Sequence, residues 1–189
     1  MPQHKPASSP SPRHRALAAL FLATALSACG GGGGDDDPSP PPAPAPDALA
    51  SGVDALAGDW VSRKVCADLG AGRSAHAMVR VVKRDGQSVD YQSGTLVYAA
   101  AGCQGTGSPL VSSFGTVAFT RVEADASVAA HWGWFAAITG TVSAVVWAKL
   151  SDAKLCLLGD ETPSVLPTLA LVLQSATVSD QQNACYVRP

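Results

Sequence analysis

Short segments of alternating apolar and polar residues dominate the chain from about residue 76 onward, and turn residues separate them. The clearest pair is residues 76–83 and 88–92, which flank a turn at residues 84–87. In the second segment Val89 and Tyr91 alternate with polar neighbours, as expected of a strand that buries one face. The turn contains Asp-Gly, which is typical of tight hairpins because glycine adopts a positive φ at low cost. The pattern therefore predicts a β-hairpin.

The same pattern predicts further strands along the rest of this region. They are residues 95–100, after Gly94, and then 116–122, 127–138, 141–150 and 153–158. About eight strands with short connections favour an all-β fold: an antiparallel up-and-down barrel, with a β-sandwich as the alternative. Residues 163–180 stay ambiguous, because prolines interrupt them and their apolar run fits either a buried strand or a short helix.

The N-terminal segment has the pattern of a secretory signal peptide. Residues 16–26 are apolar apart from Thr24, and basic residues precede them. This run is too short to cross a bilayer, which requires about 20 residues in a helix. A basic start, a short apolar core and small residues after it predict a cleaved signal peptide over residues 1–28.

The end of that segment, Leu26-Ser27-Ala28-Cys29, resembles the lipobox of bacterial lipoproteins. The resemblance implies that Cys29 receives a diacylglyceryl group and becomes the mature N-terminus. Two or three acyl chains would hold the protein firmly, since each buried CH₂ adds about 0.8 kcal/mol. In that family an Asp after the cysteine can retain a protein in the inner membrane. Because Gly30 occupies this position, the resemblance implies the outer membrane.

Residues 30–46 contain a glycine run, three aspartates and a proline-rich stretch. Such a composition forms no core and predicts a flexible to extended tether, with a reach of roughly 50 Å at about 3.1 Å per residue. The domain boundaries that follow are a signal peptide over 1–28, a lipidated cysteine and tether over 29–46, and a folded domain over 47–189.

Composition and charge exclude two classes of protein. A hydrophobic content of 47% with only 15% charged residues argues against a disordered chain. The formal net charge is −2. Removal of Lys5, Arg13 and Arg15 with the signal peptide leaves 10 basic against 15 acidic residues, or −5. A mildly acidic domain offers no basic surface to nucleic acid, so we expect no nucleic-acid partner.

Four cysteines remain after Cys29, and they allow three disulfide pairings. An exported protein is expected to form disulfides, because the compartment outside the inner membrane is oxidising. We predict the pairs that are nearest in sequence, Cys66 with Cys103 and Cys156 with Cys185; the alternative is that one pair stays reduced and buried. No spacing matches Cys-x-x-Cys or a zinc site, so no metal site is predicted.

Residues 56–60, Leu-Ala-Gly-Asp-Trp, open the first strand of the folded domain with Gly-x-Trp. This motif resembles the start of lipocalin-like barrels, in which the Trp closes the barrel floor beneath an Arg from near the chain end. The resemblance implies that Arg188 stacks on Trp60 through a cation–π contact. The chain is also similar to small uncharacterised proteobacterial lipoproteins with paired cysteines and a Tyr-Val-Arg-like end.

No known catalytic motif occurs in the sequence, so we predict no enzyme, no catalytic residue and no cofactor. The one dense aromatic cluster is residues 131–135. Its candidate ligand-binding residues are His131, Trp132 and Trp134, which would line a cavity for a small apolar ligand. The two tryptophans share a strand face and could equally fill the core. The expected function is a lipid-anchored envelope protein that binds a small apolar ligand; the alternative is a filled structural barrel that contacts an envelope protein.

Overall fold

The computed structural model describes residues 47–159 and 165–189. The predicted signal peptide, the lipobox with Cys29 and the tether lie outside the described residues. Residues Ala43–Pro189 form one compact unit. The buried core residues of the described part of the chain lie inside it. We therefore expect this unit to fold by itself. Among the described residues, no helix has the length and apolar character required to cross a membrane.

The described residues form nine strands and one helix. The strands are β1 (Gly58–Ser62), β2 (Ala67–Gly70), β3 (Arg73–Lys83), β4 (Ser88–Tyr98), β5 (Gly107–Ala124), β6 (Ala129–Ala137), β7 (Val142–Ser151), β8 (Lys154–Leu157) and β9 (Tyr186–Val187). The helix is α1 (Leu169–Gln181), and a 3₁₀ turn (Val53–Ala55) precedes β1.

The sheet closes on itself, because β1 pairs with β9 on one side and with β3 on the other. The closed strand order is β1-β9-β8-β7-β6-β5-β4-β3, and every pairing is antiparallel. The short strand β2 adds to the edge of β3 beyond β1. The predicted fold class is confirmed: the domain is an eight-stranded antiparallel barrel, and the sandwich alternative is excluded.

The predicted hairpin is present as β3 and β4, with Lys83 opposite Val89. Its turn differs from the expectation, because Gly86 does not adopt a positive φ. The carboxylate of Asp85 holds the turn instead, since it accepts hydrogen bonds from the Gln87 amide and the Ser88 hydroxyl. The aspartate therefore contributes more to this turn than the glycine does.

Two strands run further than the sequence pattern predicted. Gly94 does not end its strand, because β4 passes so close to β5 there that a Cβ would overlap the Leu110 carbonyl oxygen. A glycine inside a strand often marks such a close backbone approach. Likewise β5 begins at Gly107 rather than at residue 116. Its first half has exposed side chains on both faces, so no alternation of apolar and polar residues revealed it.

The barrel interior holds the largest core cluster. Its buried members are Val53, Leu56, Trp60, Val79, Val81, Val89, Val117, Phe119, Val145, Trp147 and Leu155. The 3₁₀ turn covers one end of the barrel, which we call the closed end, and contributes Val53 and Leu56 to this cluster. The β6–β7 turn, residues 138–141, lies at the opposite end, which we call the open end.

Two smaller clusters lie on the outer face of the barrel, each beside a disulfide. One lies between α1 and the outer face of strands β6 to β8, and it includes Cys156 and Cys185. The ambiguous segment is thus a helix; Thr168 caps it by accepting a hydrogen bond from the Leu171 amide. The other cluster covers β3 and β4 beside Cys103. Core formation on both faces of the sheet explains why several strands are apolar on both sides.

Candidate functional site

The closed end is sealed by an aromatic–cation pair. Trp60 is fully buried, and its indole N–H donates to the Leu56 carbonyl at 2.8 Å. The guanidinium carbon of Arg188 lies 3.8 Å from the centre of the Trp60 ring, within the range of a cation–π interaction. The predicted contact is confirmed. Gly58 makes room for it, since a Cβ there would overlap the Arg188 guanidinium.

Two buried polar residues hold the segment before the 3₁₀ turn against the closed end. The His131 ring shares a 2.8 Å hydrogen bond with the Ser51 carbonyl, and the Lys149 ammonium lies 3.4 Å from the Ala50 carbonyl. Burial lowers the pKa of His131, and the positive charge of Lys149 lowers it further. The second ring nitrogen of His131 is buried without a partner among the described residues. His131 therefore serves as a neutral structural anchor for the N-terminal segment.

At the open end a cleft of about 290 Å³ penetrates the barrel. It is lined by Tyr91, Phe114, Val117, Phe135, Val145, Trp147, Leu157 and Gly159. These residues lie on strands β4 to β8, apart from Gly159, which follows β8. The inner face of the curved sheet therefore forms the cleft. Its volume is at the small end of the roughly 300–1,000 Å³ that is typical of ligand sites.

Four of these side chains form one aromatic network centred on Tyr91. Its ring centre lies 5.9 Å from that of Phe114, 5.8 Å from Phe135 and 5.8 Å from Trp147. Phe114 and Phe135 stack with ring centres 5.6 Å apart. Edge-to-face and offset-stacked pairs at these distances are favourable beyond their burial. The network fixes the rings in place and gives the cleft a preformed apolar wall.

The cleft offers few polar groups. Burial raises the pKa of Tyr91 to about 12, and the nearby Tyr186 contributes to the shift. The phenol therefore stays neutral at any physiological pH and donates rather than carries charge. Within the described part of the chain, neither the Tyr91 hydroxyl nor the Trp147 indole N–H has a hydrogen-bond acceptor. Chemically, the described lining combines an apolar wall with the neutral donor groups of Tyr91 and Trp147.

The three residues predicted to bind a ligand do not meet around this cleft. Trp132 is buried on the outer face beneath α1, where its indole N–H donates to the Leu166 carbonyl at 2.7 Å. The Arg121 guanidinium covers its ring at 4.2 Å. Trp134 also points outward and is 51% exposed. His131 faces the interior at the closed end. Trp132 thus fills a core, and any ligand role for Trp134 would have to be on the outer surface.

The sequence pattern did not predict the cleft residues, and the reason is physical. Phe135 and Trp147 lie on the opposite face of β6 and β7 from Trp132 and Trp134. Both faces of these strands are apolar, because α1 covers the outer one, so alternation could not tell which face is interior. The hairpin could have identified the interior face. In β4 Tyr91 alternates with polar neighbours, which indicates that the face of the sheet with Tyr91 points into the barrel.

Both predicted disulfides are present, which confirms the predicted pairing. The sulfur–sulfur distances are 2.06 Å for Cys66–Cys103 and 2.01 Å for Cys156–Cys185. His76 lies beside the first pair, with one ligand atom of each residue within 4.8 Å of the others. The thiolate, not the disulfide sulfur, is the metal ligand, so this trio does not hold a metal while the bond is intact.

Comparison with known proteins assigns no function to this cleft. The chain matches no protein-family model, no curated protein and no solved structure at a significant level.

Proposed function

We propose that this domain is a binding module that holds one small apolar molecule in the open-end cleft. The observation that carries the proposal is the Tyr91 aromatic network, which lines a cleft that opens into the barrel interior. Ligand sites in proteins are typically concave, mostly apolar and equipped with a few polar groups. The cleft of this domain has each of these properties.

The chemistry of the cleft restricts the class of ligand. A volume of about 290 Å³ accommodates a single medium-length acyl chain or a compact ring system, not a bulky multi-ring or multi-chain lipid. The donors on Tyr91 and Trp147 suit a ligand with a neutral or anionic acceptor oxygen. A cation gains no ion pair from the described lining, because none of these residues has an acidic side chain. The ligand class is therefore an apolar body with one oxygen acceptor, such as a fatty acid.

The lipocalin-like part of the proposal is supported at the closed end. A 3₁₀ turn leads into β1, a Gly-x-Trp motif opens that strand, and Arg188 covers the Trp60 ring. These features agree with the resemblance that the sequence suggested. In a barrel sealed at one end, a ligand must enter through the other end, where the cleft lies.

The proposal places the domain at the cell envelope, on a lipid anchor at Cys29. The support for this part is the signal-peptide pattern and the Leu-Ser-Ala-Cys ending, with Gly30 favouring the outer membrane. Mass spectrometry of the protein from bacterial membranes tests it. An acylated N-terminal Cys29 is expected, and an unmodified N-terminus elsewhere would contradict the anchor without affecting the cleft.

A titration with a neutral phenyl-naphthylamine probe, followed by competition with decanoic acid, tests ligand binding. The protein is the unit over residues 43–189, and binding is expected to saturate at one probe per chain. Leu157→Trp fills the cleft and should weaken binding at least tenfold. Leu158→Trp is the matched control, because Leu158 packs against the cluster on the outer face instead. Equal weakening by both variants, or no saturable binding, would contradict the proposal.

The second candidate function is a filled barrel that contacts an envelope protein and holds no ligand. The buried core cluster of the interior favours it, because this cluster extends from the 3₁₀ turn to Val145 and Trp147 in the wall of the cleft. The same titration separates the two functions, because a filled barrel gives no saturable probe binding to any variant.

A further inference from the structure

One side of the barrel wall is free of charged side chains. Residues 91–120 and 126–148 contain no Asp, Glu, Lys or Arg. They supply most of β4, β5 and β7 and all of β6, which are four neighbouring strands. Helix α1 covers part of this wall, which explains the apolar residues beneath it. Charged residues normally cover the exposed face of a sheet in a soluble domain, so their absence from the uncovered part requires another explanation.

The uncharged wall ends in exposed large apolar side chains at the open end. Phe114 is 49% exposed, Trp134 51%, Ile138 70% and Val142 61%. We call these four residues the lip.

The lip residues are neighbours in the barrel. The Ile138 amide donates to the Phe114 carbonyl at 3.1 Å, and Val142 pairs with Ala136, which shares the outer face of β6 with Trp134. A contiguous apolar patch of this kind usually marks an interaction site.

The lip is continuous with the proposed binding cleft. Phe114 belongs to both, because its ring is half exposed and also stacks on Phe135 inside the cleft. A surface that covers the lip therefore also covers the mouth of the cleft. An apolar ligand could pass between that surface and the cleft without crossing water, where apolar surface is costly to expose.

From this placement we infer that the lip is a docking surface for a lipid bilayer. The inference rests on the proposed function, because it explains how the cleft meets an apolar ligand. A Trp with branched aliphatic neighbours suits the boundary between headgroups and acyl chains. The lip lacks the basic residues that draw proteins to anionic lipid, so its attraction to the bilayer is hydrophobic and insensitive to salt.

The length of the chain outside the described residues permits this orientation. The described chain starts at the closed end, where the Leu49 amide donates to the Asp125 carbonyl. From there to the lip the path follows β6, whose nine residues span roughly 30 Å at about 3.4 Å each. The predicted tether over residues 30–46 reaches roughly 50 Å when extended. A domain anchored at Cys29 can therefore turn its lip onto the same membrane.

Vesicle binding by the unanchored unit over residues 43–189 tests the inference. Trp134 is the one exposed tryptophan of the four in the chain, so its fluorescence reports directly on the lip. With phosphatidylcholine vesicles we expect a blue shift, quenching by brominated acyl chains, and the same partitioning at low and high salt. Trp134→Phe should remove the signal but not the sedimentation with vesicles.

Charge placed on the lip should abolish docking. Ile138→Glu and Val142→Glu are each expected to reduce vesicle partitioning at least tenfold, and both positions are exposed enough to leave the fold intact. Val178→Glu is the matched control, because this valine is 47% exposed on α1 away from the lip. Thermal melting of each variant checks folding.

Distinct outcomes separate this inference from the proposed function. Lip variants that keep probe binding in solution but lose vesicle binding support both. Vesicle binding by a chain that binds no probe supports the lip and contradicts the cleft. Absence of vesicle binding, an equal loss in Val178→Glu, or a self-association in sedimentation that Ile138→Glu removes would each overturn the docking inference.

Discussion

The floor of the barrel allows a quantitative test, because Gly58 and Arg188 act on the same contact. Gly58 has a φ of 121°, and a Cβ there would overlap the Arg188 guanidinium that stacks on Trp60. Arg188→Met keeps the apolar stem but removes the cation–π interaction, which contributes up to about 2 kcal/mol in a desolvated site. We expect this variant to lower the free energy of unfolding by about 1.5 kcal/mol.

Gly58→Ala should be more harmful. It places a side chain at a positive φ, which costs about 1–3 kcal/mol, and it also displaces Arg188. In the double variant the guanidinium is already absent, so only the backbone strain is new. The two effects should therefore fall short of additivity by about 1.5 kcal/mol. Urea unfolding of residues 43–189, followed by tryptophan fluorescence, measures all four proteins. Additivity within about 0.5 kcal/mol would refute the proposed steric coupling.

Three further predictions concern stability. Replacing Cys156 and Cys185 with alanine opens a loop with a sequence separation of 29, and the chain-entropy model gives a loss of about 3.6 kcal/mol; an unchanged denaturation midpoint would contradict it. Because burial depresses the folded-state pKa of His131, the unfolded chain binds this proton first, so stability falls as pH drops below about 6.5, by at most about 1.4 kcal/mol per pH unit. His131→Gln should flatten that slope, and an identical pH profile would exclude this origin. Gly133→Ala should cost about 1–3 kcal/mol because its Cβ would overlap the Ala118 carbonyl oxygen, whereas Gly52→Ala, with open space around it, should change little.

Much of the fold was predictable from local patterns and from one resemblance. Alternation around the β3–β4 turn predicted the hairpin, and the export context with nearest-neighbour pairing predicted both disulfides. The resemblance to lipocalin-like barrels, through the Gly-x-Trp start, implied the Trp60–Arg188 contact. The strand limits were less accurate. Gly94 permits a close strand crossing rather than a turn, and the first half of β5 lacks alternation because it is exposed on both faces.

The candidate site was not predictable in the same way. Trp132 and Trp147 are both buried tryptophans on adjacent strands, yet one lies under α1 and the other lines the cleft. Which face of a strand is interior depends on where the helix packs. The sequence did not decide whether residues 163–180 form a helix or a strand. The ligand site depends on that one tertiary contact, which periodicity does not encode.

The proposed function requires an apolar ligand inside the barrel at the open end. Nuclear magnetic resonance of the unit over residues 43–189 with decanoic acid tests it most directly, through intermolecular contacts between ligand protons and assigned side chains. We expect one saturable site with contacts to Tyr91, Phe135 and Trp147. Contacts confined to the exposed Trp134, or no saturable contacts at all, would contradict it.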